Sequence, residues 1–385
     1  MKNKVRIGVI GMGNMGKSHS TLIQQGRVER CELTAVCDME ESKTAPFADK
    51  VKTFTDSGDL IRSGEVDAVL IATPHYSHTT IGIDALENGL HVLVEKPISV
   101  HKADCERLIA AHKDKNLKFS AMFNMRTYPI FQKMRSIIDS GELGAIYRVN
   151  WIITSWFRTE SYYSSGGWRA TWEGEGGGVL LNQCPHNIDL FQWFFGMPSK
   201  VHGFCKFGRY HDIEVEDDVT AYFEYPDGKS AVFVATTGEA PGTNRLEIAA
   251  ERGRLVLEDE AISFLRTETS VTEFNRTCPS GFAKPPTWKV EIPAATAEGG
   301  QHMHIVRNFV EAILDGKPLI APAEEGIHSV ELANAMLYSS FLNKPVDLPL
   351  NAADYEKALM EKIHTSPGKK KTVKAQDADF SKSFG

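Results

Sequence analysis

"KVRIGVIGMGNMGKSHS", Lys4–Ser20, decides the fold. Its first half is an apolar run that reads as a buried strand, and its second half reads as the start of a helix. Gly11, Gly13 and Gly16 occupy the turn between them in the spacing Gly-x-Gly-x-x-Gly. Glycines at that spacing are weak evidence alone. Between a strand and a helix they carry a mechanism: Gly11 makes the tight turn, Gly13 lets a pyrophosphate approach the backbone, and Gly16 lets the helix pack on the strand. Met12, Asn14 and Met15 complete the turn and are expected to touch the same ligand. A second strand, "CELTAVCD", ends on Asp38, about 20 residues past the last glycine, where a carboxylate can hold ribose hydroxyls. The expected ligand is therefore NAD. Lys43 lies close enough to leave NADP open.

The same rhythm continues outward. "VDAVLIAT", "HVLVEKP" and "LKFSAMFN" read as strands, with "HTTIGIDALENG" and "KADCERLIAAHKDK" as helices between them. Short apolar strands alternating with helices predict an α/β unit with a parallel sheet, a Rossmann fold over residues 1–123. After Asn124 the pattern changes. Following the helix "YPIFQKMRSIIDSG", strands dominate from "IYRVNWIITSWF" to "RLVLED", separated by turns such as "PDG" and "ERG". Two helices follow, "MHIVRNFVEAILDG" and "GIHSVELANAMLYSSFLN". Residues 124–350 are expected to form an α+β domain with a large open, mainly antiparallel sheet. Residues 351–385 are expected to form a C-terminal helix and a polar tail.

Bulk properties exclude several classes. The chain of 385 residues carries a formal charge of −7, which disfavours nucleic acid or an anionic membrane as partner. No run of about 18 apolar residues exists, so no membrane span is expected. The cysteines at 31, 37, 105, 184, 205 and 278 contain no Cys-x-x-Cys pair and read as reduced thiols of a cytoplasmic protein.

Two strand ends beyond the glycine turn face the ligand crevice of such a sheet. "ATPHYSH" places Thr73, Pro74, His75 and His78 there, and "HVLVEKPIS" places Glu95 and Lys96 there. A lysine in that crevice, desolvated beside a nicotinamide cation, suits proton relay to a reacting hydroxyl. In isolation it reads as a solvated surface residue.

A third segment, "GGGVLLNQCPHNIDLFQW", Gly176–Trp193, is read both ways. On a helix, Leu181, Cys184, Ile188, Phe191 and Phe195 share an apolar face, and Asn182, His186 and Asp189 share the other. The bland reading is a solvated polar stripe. Against it, three glycines permit close backbone approach, and Pro185 suits the first position of a helix restarting there. His186 would then sit in the opening turn, neutral and able to accept a proton. Cys184, His186 and Asp189 are too tightly spaced for a zinc site, so no metal is expected.

Together, "GVIGMGNMG", "ATPHYSH", "HVLVEKPIS", the 176–193 segment and the late "NFVEAILDGKPLIAPAEEGIHSVELANAMLYSS" resemble the glucose–fructose oxidoreductase / inositol dehydrogenase / MocA family, from Val5 to about Leu350. The resemblance implies hydride transfer between a nicotinamide and a hydroxyl or keto carbon of a sugar, glycoside or cyclitol. It also implies an open sheet that carries the substrate and the interface of a homodimer or homotetramer. By matching position, Lys96 is the family's lysine and His186 its acid/base. Asn182 falls where the family usually has Asp, which leaves His186 without an anionic neighbour and assigns Asn182 to orienting substrate.

The substrate side is expected to draw on Asn124, Arg126, Tyr163, Trp168 and Arg169. Trp151, Trp156, Trp168 and Trp172 cluster within 22 residues, as a sugar platform or as core packing in equal measure. Arg169 leaves neutral sugars and sugar acids both open. Two other functions fit the same cofactor: glycoside cleavage by transient oxidation and elimination, and a non-catalytic NAD-binding sensor.

Overall fold

The computed structural model describes residues 3–293 and 301–367. The first sheet contains β1 (Val5–Ile10), β2 (Cys31–Cys37), β3 (Lys52–Phe54), β4 (Ala68–Ile71), β5 (His91–Val94) and β6 (Phe119–Ala121). Their order is β3-β2-β1-β4-β5-β6, and every pairing is parallel. The central strands "VRIGVI", "AVLI" and "HVLV" are buried almost throughout, as strands covered by helices on both faces must be. The order reverses between β1 and β4, so a crevice opens beyond their carboxyl ends. The glycine turn, Thr73 and Lys96 all lie at that edge.

The second sheet contains β7 (Ile146–Ile153), β8 (Lys200–Phe207), β9 (Glu216–Glu224), β10 (Ser230–Thr236), β11 (Asn244–Ala250), β12 (Gly253–Glu258), β13 (Ala261–Thr267), β14 (Thr287–Ile292) and β15 (Val346–Asp347). The order is β14-β13-β12-β11-β7-β10-β9-β8-β15, antiparallel except where β7 meets β10. In β9, Val219, Ala221 and Phe223 are buried while Thr220, Tyr222 and Glu224 are exposed. One face is thus a core face, and helix Pro185–Phe195 lies on it. Phe191 of that helix packs against Trp151, Phe223 and Phe233. Helix Gly326–Leu342 covers β8, where a side chain at Gly203 would collide with the Met336 main chain.

Sequence order and packing diverge in one place. Helix Gln301–Asp315 belongs by packing to the first sheet: Ile305, Val306, Phe309 and Val310 share a core with Ile7 and Val94. Residues 124–350 are therefore not one packing unit, because an amphipathic helix joins whichever apolar face is open to it. A buried ion pair joins the layers: Lys102 Nζ lies 2.7 Å from both Glu331 Oε1 and the Leu350 carbonyl. The C-terminal helix runs Ala352–His364, capped by the Asn351 side chain, and the tail 368–385 lies outside the described residues. All six cysteines are unpaired. Among the described residues no helix is long and apolar enough to cross a membrane.

Candidate active site

Gly11 adopts φ +93°, and a Cβ there would stand 2.6 Å from the Ala72 carbonyl oxygen. A Cβ at Gly16 would fall 1.8 Å from the Gly11 oxygen, so only glycine lets helix Asn14–Gln24 sit this close to β1. Gly13, the N-cap, faces open space, and neither a side-chain cap nor an acidic first turn neutralises the helix end. That is the cradle a pyrophosphate needs. Asp38 Oδ2 accepts the Met12 N–H at 2.8 Å and Oδ1 accepts that of Glu40 at 3.0 Å, which fixes the carboxylate at the end of β2. Lys43 is drawn onto Glu40 at 2.7 Å and stands 3.6 Å from Asp38. Asn14 is exposed and Met15 half-buried, whereas the Met12 side chain points into the core.

Thr73 Oγ1 is buried at the β4 edge without a partner among the described residues, and Pro74 is the N-cap of helix His75–Glu87. Burial, His78 and Lys96 hold the His75 imidazole at about 3, so it is neutral, with its ring edge-on to Trp168. His78 does not face the crevice. Its two nitrogens lie 2.8 Å from the Pro97 and Thr73 carbonyl oxygens, and it ties the two strand-end loops together. Glu95 also turns inward, to His19 Nε2 at 2.8 Å. Burial alone would raise its carboxyl; the His19 bond and the charges of His19, His302 and Lys96 outweigh burial and bring it to about 2. His19 and His302 were invisible to sequence reasoning because each makes sense only once folded beside Glu95.

Lys96 is the group that crosses the crevice. Its Nζ donates to the Asn182 carbonyl oxygen at 3.0 Å. Burial lowers the Lys96 ammonium, with Glu95 and Glu175 opposing. Beyond it, the helix starts where the proline predicts, with Pro185 at its first position. His186 in that turn is 4% exposed, and neither ring nitrogen has a hydrogen-bond partner among the described residues. Burial first, then the Lys96 charge, lowers its imidazole well below the usual range. The imidazole is therefore neutral, with both nitrogens unpartnered among the described residues.

The Gly176–Gly178 run is explained by close approach. A Cβ at Gly178 would fall 2.0 Å from the Glu216 oxygen, and one at Gly176, φ +74°, the same distance from Val100. The Glu216 carboxylate accepts the Gly178 and Leu180 N–H groups at 2.8 and 2.9 Å. These contacts deliver Asn182 to the crevice. Asn182 Oδ1 accepts from Tyr162 Oη and Gln183 Nε2, each at 3.0 Å, and Nδ2 donates to Glu175 Oε1. Glu175 is 2% exposed. Sequence reasoning missed it, although it stands one residue before the glycine run.

Several expected substrate residues are placed elsewhere. Asp189 is not on a cleft-facing stripe: it forms a two-pronged pair with Arg126, at 2.6 and 2.8 Å, in which both side chains are 1% exposed. Arg126 is thereby committed to structure, with Glu325 as a second partner. Tyr163 bonds Thr237 at 2.8 Å and packs on His211. Its neighbour Tyr162 faces the site instead, because successive residues of a helix point about 100° apart. Trp151, Trp156 and Trp172 are core residues, so packing accounts for three of the four clustered tryptophans. Trp168 and Arg169 remain at the site: the guanidinium stacks on Trp168 and Tyr162 and donates to Tyr162 Oη at 2.9 Å. Asn124 is buried and its Oδ1 has no partner among the described residues; it follows Phe123, whose ring meets His186 edge-on.

Comparison with known proteins identifies both domains. Residues 5–123 match the oxidoreductase family model with an NAD-binding Rossmann fold, and residues 131–256 match the GFO/IDH/MocA C-terminal domain. Oxidoreductase P35 of Formosa agariphila is 29% identical over 57% of this chain and 70% of its own length. The rhizopine catabolism protein MocA of Rhizobium meliloti is 29% identical over 50% of this chain and 58% of its own. An inositol 2-dehydrogenase of Salmonella typhimurium is 31% identical over 36% and 43%. The match thus spans about half the length of those two relatives. Among solved structures, the WlbA dehydrogenase of Bordetella pertussis with NADH and UDP-GlcNAcA superposes with a TM-score of 0.75 at 24% identity, covering 90% of this chain and all of that one. A levoglucosan dehydrogenase with NADH and L-sorbose gives 0.75 at 20%, covering 91% and 100%. At these identities the likeness is one of fold. With both halves matched in order, the chain belongs to the GFO/IDH/MocA family of oxidoreductases, and its first domain is an NAD-binding Rossmann domain.

Proposed function

We propose that the protein is an NAD-dependent dehydrogenase acting on a hydroxyl-bearing carbon of a sugar, glycoside or cyclitol. The observation that carries this reading is His186: a buried, neutral imidazole with both nitrogens unpartnered among the described residues and within the field of the Lys96 ammonium. Gly11, Gly13, Gly16 and Asp38 would hold the dinucleotide, and Thr73 and His75 would line its nicotinamide end. When bound, the nicotinamide supplies the two-electron hydride acceptor.

The chain's own residues handle the proton and the geometry. His186 accepts the proton as the substrate hydroxyl becomes a carbonyl, a role for which its neutral state fits it. Lys96 stabilises the developing negative oxygen by hydrogen bonding and charge. Asn182, held by three side chains, orients the reacting end, while Trp168 and Arg169 present a stacking face and a donor to the rest of a polyol. In the reverse direction protonated His186 returns the proton. A homodimer or homotetramer formed through the exposed face of the second sheet fits this reading.

Incubating the purified protein with NAD and a panel of sugars, sugar acids and cyclitols tests it. Formation of NADH with an equal amount of ketone product, lost in Lys96→Met and His186→Ala while NAD binding persists, supports the reading. NAD binding with no turnover of any polyol, and no effect of either substitution, removes it. Aglycone release without net NADH assigns glycoside cleavage instead.

A further inference from the structure

The geometry points to Glu175 as the anionic partner of Lys96, acting through the Asn182 amide as a positioning residue for the proposed dehydrogenase chemistry. The inference rests on the reading of Lys96 as a reactive-site group. Glu175 lies at the head of a continuous chain of contacts. Its Oε1 accepts from Asn182 Nδ2, and the carbonyl of that same Asn182 receives Lys96 Nζ at 3.0 Å. One residue thus links the carboxylate to the ammonium, by its side chain on one side and its main chain on the other.

Burial raises the Glu175 carboxyl, and Arg169, the Ala170 N–H, the Asn182 amide and Lys96 act to keep it ionised. Glu175 is 2% exposed, so its field is little screened by water. The charged groups around it are Arg169, 3.9 Å from Oε1, and Lys96, while burial raises the neighbouring Glu216 carboxyl to about 7. Lys96 faces Glu95, Glu175, Arg169 and the Cys184 thiol, with His75 and His186 both held neutral. Glu95 is already engaged by His19, which leaves Glu175 as the other carboxylate opposing Lys96. Glu175 also has a local duty, since its Oε2 accepts the N–H of Ala170, a residue at φ +52°. A test must separate that duty from the electrostatic one.

The polarity of the Glu175–Asn182 pair allows it. Asn182 donates to Glu175 here, while Asn182 Oδ1 accepts from Tyr162 and Gln183. In the exchanged double variant E175Q/N182D, the amide now at position 175 donates through its nitrogen to the carboxylate now at position 182. The oxygen of that amide accepts from Ala170, and the carboxylate still accepts from Tyr162 and Gln183. Every hydrogen bond survives with the negative charge moved to position 182, where it remains beside the Lys96 contact. The single Glu175→Gln variant removes the charge and sets two amide nitrogens against each other. The single Asn182→Asp variant sets two carboxylates in contact.

The experiment compares full-length wild type, E175Q, N182D and E175Q/N182D. The Lys96 titration midpoint is read by NMR on protein labelled at lysine Cε, with the signal assigned by its absence in Lys96→Met. The pH profile of turnover is read in parallel. E175Q is expected to lower the Lys96 midpoint and to cut kcat roughly tenfold or more with little change in the KM for NAD. E175Q/N182D is expected to restore both toward wild type. An unmoved midpoint in folded E175Q, or a double variant that regains thermal stability but not the midpoint, overturns the inference and leaves Glu175 as a support for Ala170. The midpoint is measured without substrate. A wild type that oxidises no polyol therefore defeats the proposed reaction while Glu175 is still decided.

Discussion

Lys96 and Asn182 meet across the two domains: the ammonium at the end of β5 donates to the Asn182 carbonyl oxygen at 3.0 Å. The contact uses the main chain of the segment that follows the Gly176–Gly178 run, so it holds whatever side chain stands at 182. The close approach of the glycine run to β9 and Val100 brings that carbonyl to Lys96, whose charge also acts on His186. Lys96→Met keeps the length and removes the charge and the donors. We expect kcat to fall about 100-fold or more, with NAD affinity within about threefold of wild type, by steady-state kinetics and cofactor titration.

The acid limb of the proposed reaction is expected to follow His186. Its imidazole is lowered by burial and by Lys96, so it stays neutral well below the usual histidine range. The base form is therefore present through pH 6.5, and kcat/KM in the oxidation direction should not decline until distinctly lower pH. A pH profile that falls through the ordinary histidine range would show that His186 is solvated in the working enzyme.

Cofactor choice is predicted to lie with Asp38. Its carboxylate is fixed by the Met12 and Glu40 amides and stands where a 2′-phosphate would be repelled. Asp38→Ser should raise the KM for NAD about tenfold and bring NADP turnover up toward it. Lys43 would then be released from Asp38 to meet the phosphate, and Asp38→Ser/Lys43→Ala should lose the gained NADP activity.

Arg126 and Asp189 give a prediction of a different kind. The pair is buried, and removing Asp189 leaves the Arg126 guanidinium with only Glu325 and the Ile320 carbonyl as hydrogen-bond partners among the described residues. Asp189→Ala should cost about 3 kcal/mol of stability in denaturant unfolding. A rise in substrate KM with stability intact would instead place Arg126 in the substrate site.

Glu95 links acidity to stability. Its folded carboxyl sits at about 2, below its ordinary value of 4.5, because the His19 bond and neighbouring positive charges outweigh burial. A lowered carboxyl contributes stability that is complete above about pH 4.5 and is lost as pH falls toward 2. Glu95→Gln should therefore be less stable than wild type at neutral pH, by an amount on the order of 2–3 kcal/mol, and the gap should close on acidification across that window.

The dinucleotide half was legible because its signals are local. Gly11, Gly13, Gly16 and Asp38 each carry a steric or electrostatic requirement readable within a few residues of chain. Pro185 was legible in the same way, and it placed His186 correctly in the first turn. What escaped depended on contacts between distant segments. Asp189 shares a helical face with His186 on a wheel, yet Arg126, 63 residues away, claims it. His78 sits in the right loop but turns back to tie Thr73 to Pro97. Tyr163 and Tyr162 differ by one step of a short helix, and only the fold says which faces Asn182. Glu175 gave no sequence signal, because a lone Glu before glycines is ordinarily a solvated turn residue.

The central claim is that a neutral His186 and a charged Lys96 serve oxidation of a polyol hydroxyl by NAD. Its most direct measurement is NADH formation across a panel of sugars, sugar acids and cyclitols by wild type, Lys96→Met and His186→Ala, with aglycone release and NAD binding followed in the same samples. The account predicts NADH and ketone in equal amounts with at least one free polyol, abolished in both variants while NAD still binds. Aglycone release without net NADH, or turnover that survives both substitutions, would contradict it.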